Sequence, residues 1–303
     1  MCFGNCNNKL IIMEKIIAKV PFIDNVLKGI GQIMLQENSI TGLLFLIGIF
    51  LGSIQGGIAA FVATAVGTLT AMLLKFDEKN INSGLYGFSA ALVGVALLFI
   101  FQSTVILWIL VVVGSALATI IQNFFIKKNI PVFTLPFILI TWVLFFVIHQ
   151  FNIVGNTIST ESESILELHD LCTSTNGFGE VIFQGGPMSG IIFFIAVFIS
   201  SPTAALYGLA ASIFGAEISD FFGEPIEQIH MGLFGFNAVL TAIVFAGPKK
   251  IDGLWVFIGL VVTVLIDILL VQSNVLAMVG GVFTFPFVAG TWVTLFLKNK
   301  IKF

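Results

Sequence analysis

Two polar side chains in this sequence stand ready to accept hydrogen bonds from one small ligand. Gln32 and Glu180 lie 148 residues apart, and each directly follows a Gly-x-Gly, Gly29-Ile30-Gly31 in one case and Gly177-Phe178-Gly179 in the other. An amide oxygen and a carboxylate call for a ligand rich in N–H groups. Thr141 and Thr291 each follow a proline by five residues, after Pro136 and Pro286. Their hydroxyls either bond back to their own helix or, with carbonyls that proline leaves free, extend the line of acceptors. Phe88 and Leu92 are four apart, as are Phe236 and Leu240, so each pair lies on one helical face. Rings and leucines facing across a gap form a slot for a flat, uncharged molecule, whereas a bare ion would lose its hydration there without replacement.

Repetition singles these residues out from a background of 33 phenylalanines. Gly84-Leu85-Tyr86-Gly87-Phe88 returns as Gly232-Leu233-Phe234-Gly235-Phe236, and Leu135-Pro136-Phe137 with Thr141-Trp142 returns as Phe285-Pro286-Phe287 with Thr291-Trp292. The spacings are 148 and 150 residues, which marks a duplication of half the chain. Residues 1–150 form the first repeat, 151–170 a linker with the start of the next short segment, and 171–303 the second repeat. A site is expected where the two meet.

The elements that must position it are membrane helices. The chain has 303 residues, 58% hydrophobic and 10% charged, with a mean hydropathy of +1.09. Apolar runs occupy 40–50, 58–74, 85–101, 105–125, 132–148, 189–199, 203–218, 233–246, 254–270 and 280–297. Several are shorter than the roughly 20 residues of a full span, which predicts tilted, broken or re-entrant pieces beside a cavity. Five crossings per half, starting from the cytosol, put Lys75, Lys79, Lys127, Lys128, Lys249, Lys250 and the terminal lysines on the cytosolic side. They put Glu161, Glu163, Glu167 and Asp170 outside, in keeping with the positive-inside rule. Because five is odd, the second half is inverted. The expected fold is an all-α integral membrane protein of two inverted repeats around a central pore, each with about five transmembrane helices and one re-entrant half-helix.

The half-helices are expected at Ile16–Leu27 and Ser164–Leu171, each ended by its Gly-x-Gly through a left-handed glycine turn. Their carbonyl ends then lie beside Gln32 and Glu180. Cys2, Cys6 and Cys172 read as free thiols, and the N-terminus lacks a cleavable signal pattern. Cofactor, metal and nucleic acid are not expected, since the lysines leave no basic reading surface and no Cys or His spacing suits zinc.

Gly-x-Gly-Gln32 with Gln36 and Thr41-Gly42-Leu43-Leu44, then the Phe88 and Pro136 motifs, each with a second-half copy, resemble the urea transporter family from about residue 20 onward. The resemblance implies a homotrimer in the cell membrane, surrounded by lipid, with both termini cytoplasmic and one pore per protomer that conducts urea passively. It implies a filter with Gln32 and Glu180 at opposite points, Phe88, Leu92, Phe236 and Leu240 as the slot, and Thr141 and Thr291 at the middle. Ile33 and Val181 are further walls. Leu35 stands where the family usually has Phe, whereas Phe183 keeps it. The AT-rich composition, without Arg, suggests a bacterial inner membrane.

Three other classes compete on the residues alone. Asp267 inside the run 254–270, or Glu180, could couple transport to a proton or cation. A pore for ammonia or short amides is a second reading, although His149, His169 and His230 are not symmetric mates. Enzymatic activity needs a nucleophile with a base or a metal cluster, and no such pairing stands at helical spacing.

Overall fold

The structure, a computed structural model, describes residues 13, 17, 19–157 and 174–301. Each of the ten apolar runs carries a helix. In the first half these are α2 (Ser39–Gly52), α3 (Ile54–Leu73), α5 (Phe88–Ile100), α6 (Val105–Lys127) and α7 (Leu135–Gln150). In the second they are α9 (Pro187–Ser200), α10 (Pro202–Phe221), α12 (Phe236–Phe245), α13 (Lys250–Ser273) and α14 (Phe285–Lys300). A short helix α1 (Pro21–Gly31) precedes α2, residues 174–180 (α8) precede α9, and the brief α4 (Glu78–Asn82) and α11 (Ile226–Met231) precede α5 and α12.

Local chemistry sets the boundaries. The Asn38 side chain accepts from the Ile40 and Thr41 N–H groups at 2.9 Å each, which starts α2, and Ser53, Thr104 and Ser201 cap α3, α6 and α10 in the same way. Pro136 and Pro286 sit in the first turn of α7 and α14, where a missing N–H costs nothing. The expectation that these prolines break helices and free carbonyls near Thr141 and Thr291 is therefore corrected: they begin helices instead.

Helices α3, α6 and α13 have 20, 23 and 24 residues and are long and apolar enough to cross a bilayer. At 1.5 Å per residue they reach roughly 30–36 Å, the thickness of its hydrocarbon core. The 13 residues of α5 and 10 of α12 are too few for that length, although both helices are apolar. The first half-helix runs through a 3-10 turn and bends back by 75° into α2. Its helix covers Pro21–Gly31, so it starts and ends later than the expected Ile16–Leu27, while Ser164–Leu171, His169 and the three cysteines lie outside the described residues. Lys127 Nζ sits 5.8 Å from the Phe76 ring, which gathers the basic ends of α3 and α6 at one end of the bundle.

The halves are stitched by reciprocal contacts. The Thr41 hydroxyl donates to the Ala196 carbonyl at 2.9 Å and the Ser189 hydroxyl donates to the Gly48 carbonyl at 3.0 Å, and Ser189 and Ala196 are the 148-residue mates of Thr41 and Gly48. Phe45 meets its own mate Phe193 edge-on at 5.1 Å. On the other side Phe133 packs on Phe287 at 5.2 Å and Phe137 on Phe283 at 5.7 Å, with mates 150 residues apart. Contacts that swap partners in this way are what a two-fold rotation between halves produces.

Candidate functional site

Gln32 and Glu180 emerge from the ends of α1 and α8 in matching turns. The Leu35 N–H donates to the Gln32 carbonyl at 3.0 Å, and the Phe183 N–H to the Glu180 carbonyl at 3.1 Å. The left-handed residues are Leu35 (φ 58°) and Phe183 (φ 57°), not the glycines. Gly31 itself is helical. The expected glycine cap is thus corrected, and close approach explains these glycines instead. A methyl group on Gly29 would stand 2.8 Å from Thr64 Cγ2 and 3.1 Å from Gly87 Cα, and one on Gly177 2.5 Å from Ser212 Oγ. Each half-helix therefore lies directly against the glycine turn, at Gly87 or Gly235, that launches Phe88 or Phe236.

Two cavities flank these turns. The first, about 190 Å³, is lined by Gln32, Ile33, Leu35, Phe88, Gln122, Phe133 and Thr134 among others. Gln32 Nε2 donates to the Ser83 carbonyl at 2.9 Å, which fixes the amide and leaves Oε1 as its acceptor. The second, about 1130 Å³, is lined by Glu180, Val181, Phe183, Phe236, Asp267, Phe283 and Thr284 among others. Electrostatically they differ: three carboxylates, of Glu180, Glu227 and Asp267, line the second and none lines the first.

Leu92 and Leu240 line neither cavity and are fully buried one turn beyond Phe88 and Phe236. With Ile33, which lines the first cavity, and Val181, which lines the second, both 1% exposed, they belong to one continuous apolar cluster. Leu35 and Phe183 pack against that cluster, Phe183 at 6.2 Å from the Phe137 ring. Of the acceptors, slot and wall residues read from the repeat, Gln32, Ile33, Leu35 and Phe88 thus line the first cavity and Glu180, Val181, Phe183 and Phe236 the second, with Leu92 and Leu240 buried outside both.

Thr141 and Thr291, like Leu92 and Leu240, are fully buried and line neither cavity. Thr291 Oγ1 lies 3.4 Å from Thr241 Oγ1, which lies 2.9 Å from Thr263 Oγ1, a hydroxyl cluster joining α12, α13 and α14. In the first half Val93 and Gly114 stand at the positions of Thr241 and Thr263, and Thr141 Oγ1 has no hydrogen-bond partner among the described residues. The hydroxyls that meet at the centre are Thr134 and Thr284, 2.6 Å apart and buried. One lines the first cavity and the other the second. A legible signal marked them, because Phe133-Thr134-Leu135-Pro136-Phe137 repeats as Phe283-Thr284-Phe285-Pro286-Phe287.

Asn237, next to Phe236, holds the second of these threonine segments. Its Nδ2 donates to the Phe283 carbonyl at 3.3 Å and to Asp267 Oδ2 at 3.0 Å, while its Oδ1 accepts from the Phe287 N–H at 3.2 Å. Asp267 is 1% exposed, and its Oδ1 has no hydrogen-bond partner among the described residues. His149 is at the end of α7 against Phe145, and His230 near the end of α11. Among the described residues no cluster of His, Cys, Asp or Glu could hold a metal ion.

A helical, multi-pass membrane protein with two cavities converging on a buried apolar and hydroxyl constriction has the build of a small-solute transporter. The chain belongs to the urea transporter family, whose profile matches residues 23–299. That family consists of transporters rather than enzymes. The chain is 30% identical over 248 residues to urea transporter 1 of Mus musculus, across 75% of this chain and 64% of the relative. It is 30% identical over 244 residues to urea transporter 1 of Ovis aries, with the same coverage. This chain thus spans 64% of the length of these relatives.

Proposed function

We propose that this chain is a passive, channel-like urea transporter. Urea is planar and neutral, carries four N–H donors and offers a π-face. It matches a path in which Gln32 Oε1, the threonine hydroxyls and Glu180 accept from its edges while Phe88 and Phe236 cover its faces. The observation that carries this reading is the meeting of Thr134 and Thr284 at 2.6 Å between the two cavities, inside an otherwise apolar constriction. Urea crosses it dehydrated and in single file, and ions are held back because nothing replaces their water. The middle hydroxyls are assigned to Thr134 and Thr284, and Thr141 and Thr291 to helix packing. The names of the relatives, urea transporter 1, support the choice of solute.

In this reading the ten longer helices are spans in two inverted repeats, and α1 and α8 are re-entrant. Both termini are cytosolic, as the lysine placement favours. The chain assembles as a homotrimer in the cell membrane with one pore per protomer. The test is a liposome flux series with urea, acetamide, ammonia and glycerol. Urea permeability no greater than in empty liposomes would overturn the reading.

One observation favours a second reading, coupling to an ion: buried Asp267 lines the second cavity with one carboxylate oxygen unpartnered among the described residues. Urea uptake that follows an imposed proton or sodium gradient would establish it in place of the passive channel.

A further inference from the structure

The turns that carry Thr134 and Thr284 are held from across the two-fold. Trp142 Nε1 on α7 donates to the Gly281 carbonyl at 2.9 Å, and Trp292 Nε1 on α14 donates to the Pro131 carbonyl at 2.7 Å. Trp292 is 150 residues beyond Trp142, and Gly281 is 150 beyond Pro131. Each indole of one half thus grips the segment that enters the threonine turn of the other. These segments have little regular structure of their own. Phe133 (φ 49°) and Phe283 (φ 46°) are left-handed non-glycine residues directly before the threonines, and Gly281 has φ 103°. Such backbone persists only where the surroundings over-determine it. An indole N–H supplies a fixed contact at the start of each turn, at a partly buried site for Trp142 and an exposed one for Trp292. Trp142 adds ring contact with Phe285, the residue after Thr284, at a centroid distance of 5.5 Å.

We infer that Trp142 and Trp292 are positioning residues that set the separation of the Thr134 and Thr284 hydroxyls, and with it the width and solute selectivity of the constriction. The inference rests on the urea-channel reading for its substrate but on the two cross-half hydrogen bonds for its geometry. Loss of either N–H lets the opposite turn relax, so that the two hydroxyls no longer meet at a fixed distance. Trp142→Phe and Trp292→Phe keep an aromatic ring and delete the donor. A benzothienyl side chain at either position, indole with sulfur in place of N–H, keeps the full shape as well and serves where a Phe variant does not fold.

The experiment measures urea, N-methylurea and water permeability in proteoliposomes, with the half-saturating urea concentration. A folded variant is expected to lower the urea to N-methylurea ratio roughly fivefold, the factor that one net hydrogen bond commands. Loss at either position should weaken selectivity, because the bonds are reciprocal. An unchanged ratio together with an unchanged half-saturation in folded variants overturns the inference. Absence of urea flux in the wild type overturns the urea reading instead. The clamp is then decided by water permeability, which must rise in the donor-deleted variants and which sinks the inference if it does not.

Discussion

Thr134 Oγ1 and Thr284 Oγ1 lie 2.6 Å apart, each from a different half of the chain and each at the floor of a different cavity. In such a pair one hydroxyl donates and the other accepts, and either can rotate to accept from another N–H. Thr134→Val and Thr284→Val keep the side-chain shape and remove that acceptor. Each should lower urea permeability about fivefold to tenfold, the effect of one hydrogen bond lost at a barrier, and Thr→Ser at either position should restore most of it. Stopped-flow light scattering on proteoliposomes provides the measurement, and valine variants that conduct like wild type would remove the pair from the filter.

At the two half-helix ends the chemistry differs in charge and agrees in acceptor. Gln32 presents an amide oxygen fixed by the Nε2 bond to Ser83, and Glu180 a carboxylate. If acceptance alone matters, Glu180→Gln converts one mouth into a copy of the other and should leave urea flux within about threefold of wild type, whereas Glu180→Leu should lose roughly tenfold. A Gln variant as inactive as the Leu variant would show that the charge itself is needed.

Much of this arrangement was legible in the sequence, and the misses share a physical cause. Repetition pointed to Gln32, Glu180, Phe88 and Phe236, and the two cavities collect all four. It also repeated Thr141 and Thr291, which pack between helices, and periodicity cannot tell a pore-facing hydroxyl from a helix-facing one. The distinction lay in Thr-x-Pro: proline at the first turn fixes where α7 and α14 begin, and the threonine just before it is left at the helix mouth. The glycines are ambiguous for a related reason. Glycine serves both left-handed turns and close approach, and only the fold shows Gly29 pressed against Gly87 while Leu35 takes the left-handed turn.

Close approach makes a packing prediction. Gly29→Ala meets Thr64 Cγ2 at 2.8 Å and the Gly87 backbone at 3.1 Å, and Gly177→Ala meets Ser212 Oγ at 2.5 Å. Overpacking of this kind destabilises by about 1–3 kcal/mol, so both variants should melt earlier in detergent. They should also conduct less urea, because the half-helix cannot move without moving Gln32 or Glu180. Melting curves that coincide with wild type would show that the turns give way freely.

Asp267 and Asn237 form a buried pair that the first half lacks, with Ala118 and Ser89 at the corresponding places. Asn237 ties Phe283 and Phe287 together, so the pair braces the turn bearing Thr284. Asp267→Asn retains an acceptor for Asn237 and should fold and conduct. Asp267→Leu leaves the Asn237 amide short of a partner and should destabilise by about 1–3 kcal/mol. Thermal melts separate the two, and equal stability would deny the brace.

The last asymmetry is in the slot walls, where Leu35 and Phe183 occupy matching left-handed turns at φ 58° and 57°. Phe183 stands amid rings, at 5.5 Å from Phe99, 6.1 Å from Phe283 and 6.2 Å from Phe137. Leu35 lines the smaller cavity without an aromatic face of its own. A π-face pressed on urea adds about 0.5–1.5 kcal/mol beyond area burial if it behaves like other aromatic stacking. Phe183→Leu should therefore raise the half-saturating urea concentration about twofold to tenfold with little change in maximal flux. Leu35→Phe should lower it, since a ring then stands on both sides. Both substitutions keep a side chain at a strained φ that the native residues already tolerate, so stability should change little. Concentration-dependent urea flux in proteoliposomes reads both, and a Phe183→Leu variant with wild-type half-saturation would mean that the ring packs the protein rather than the solute.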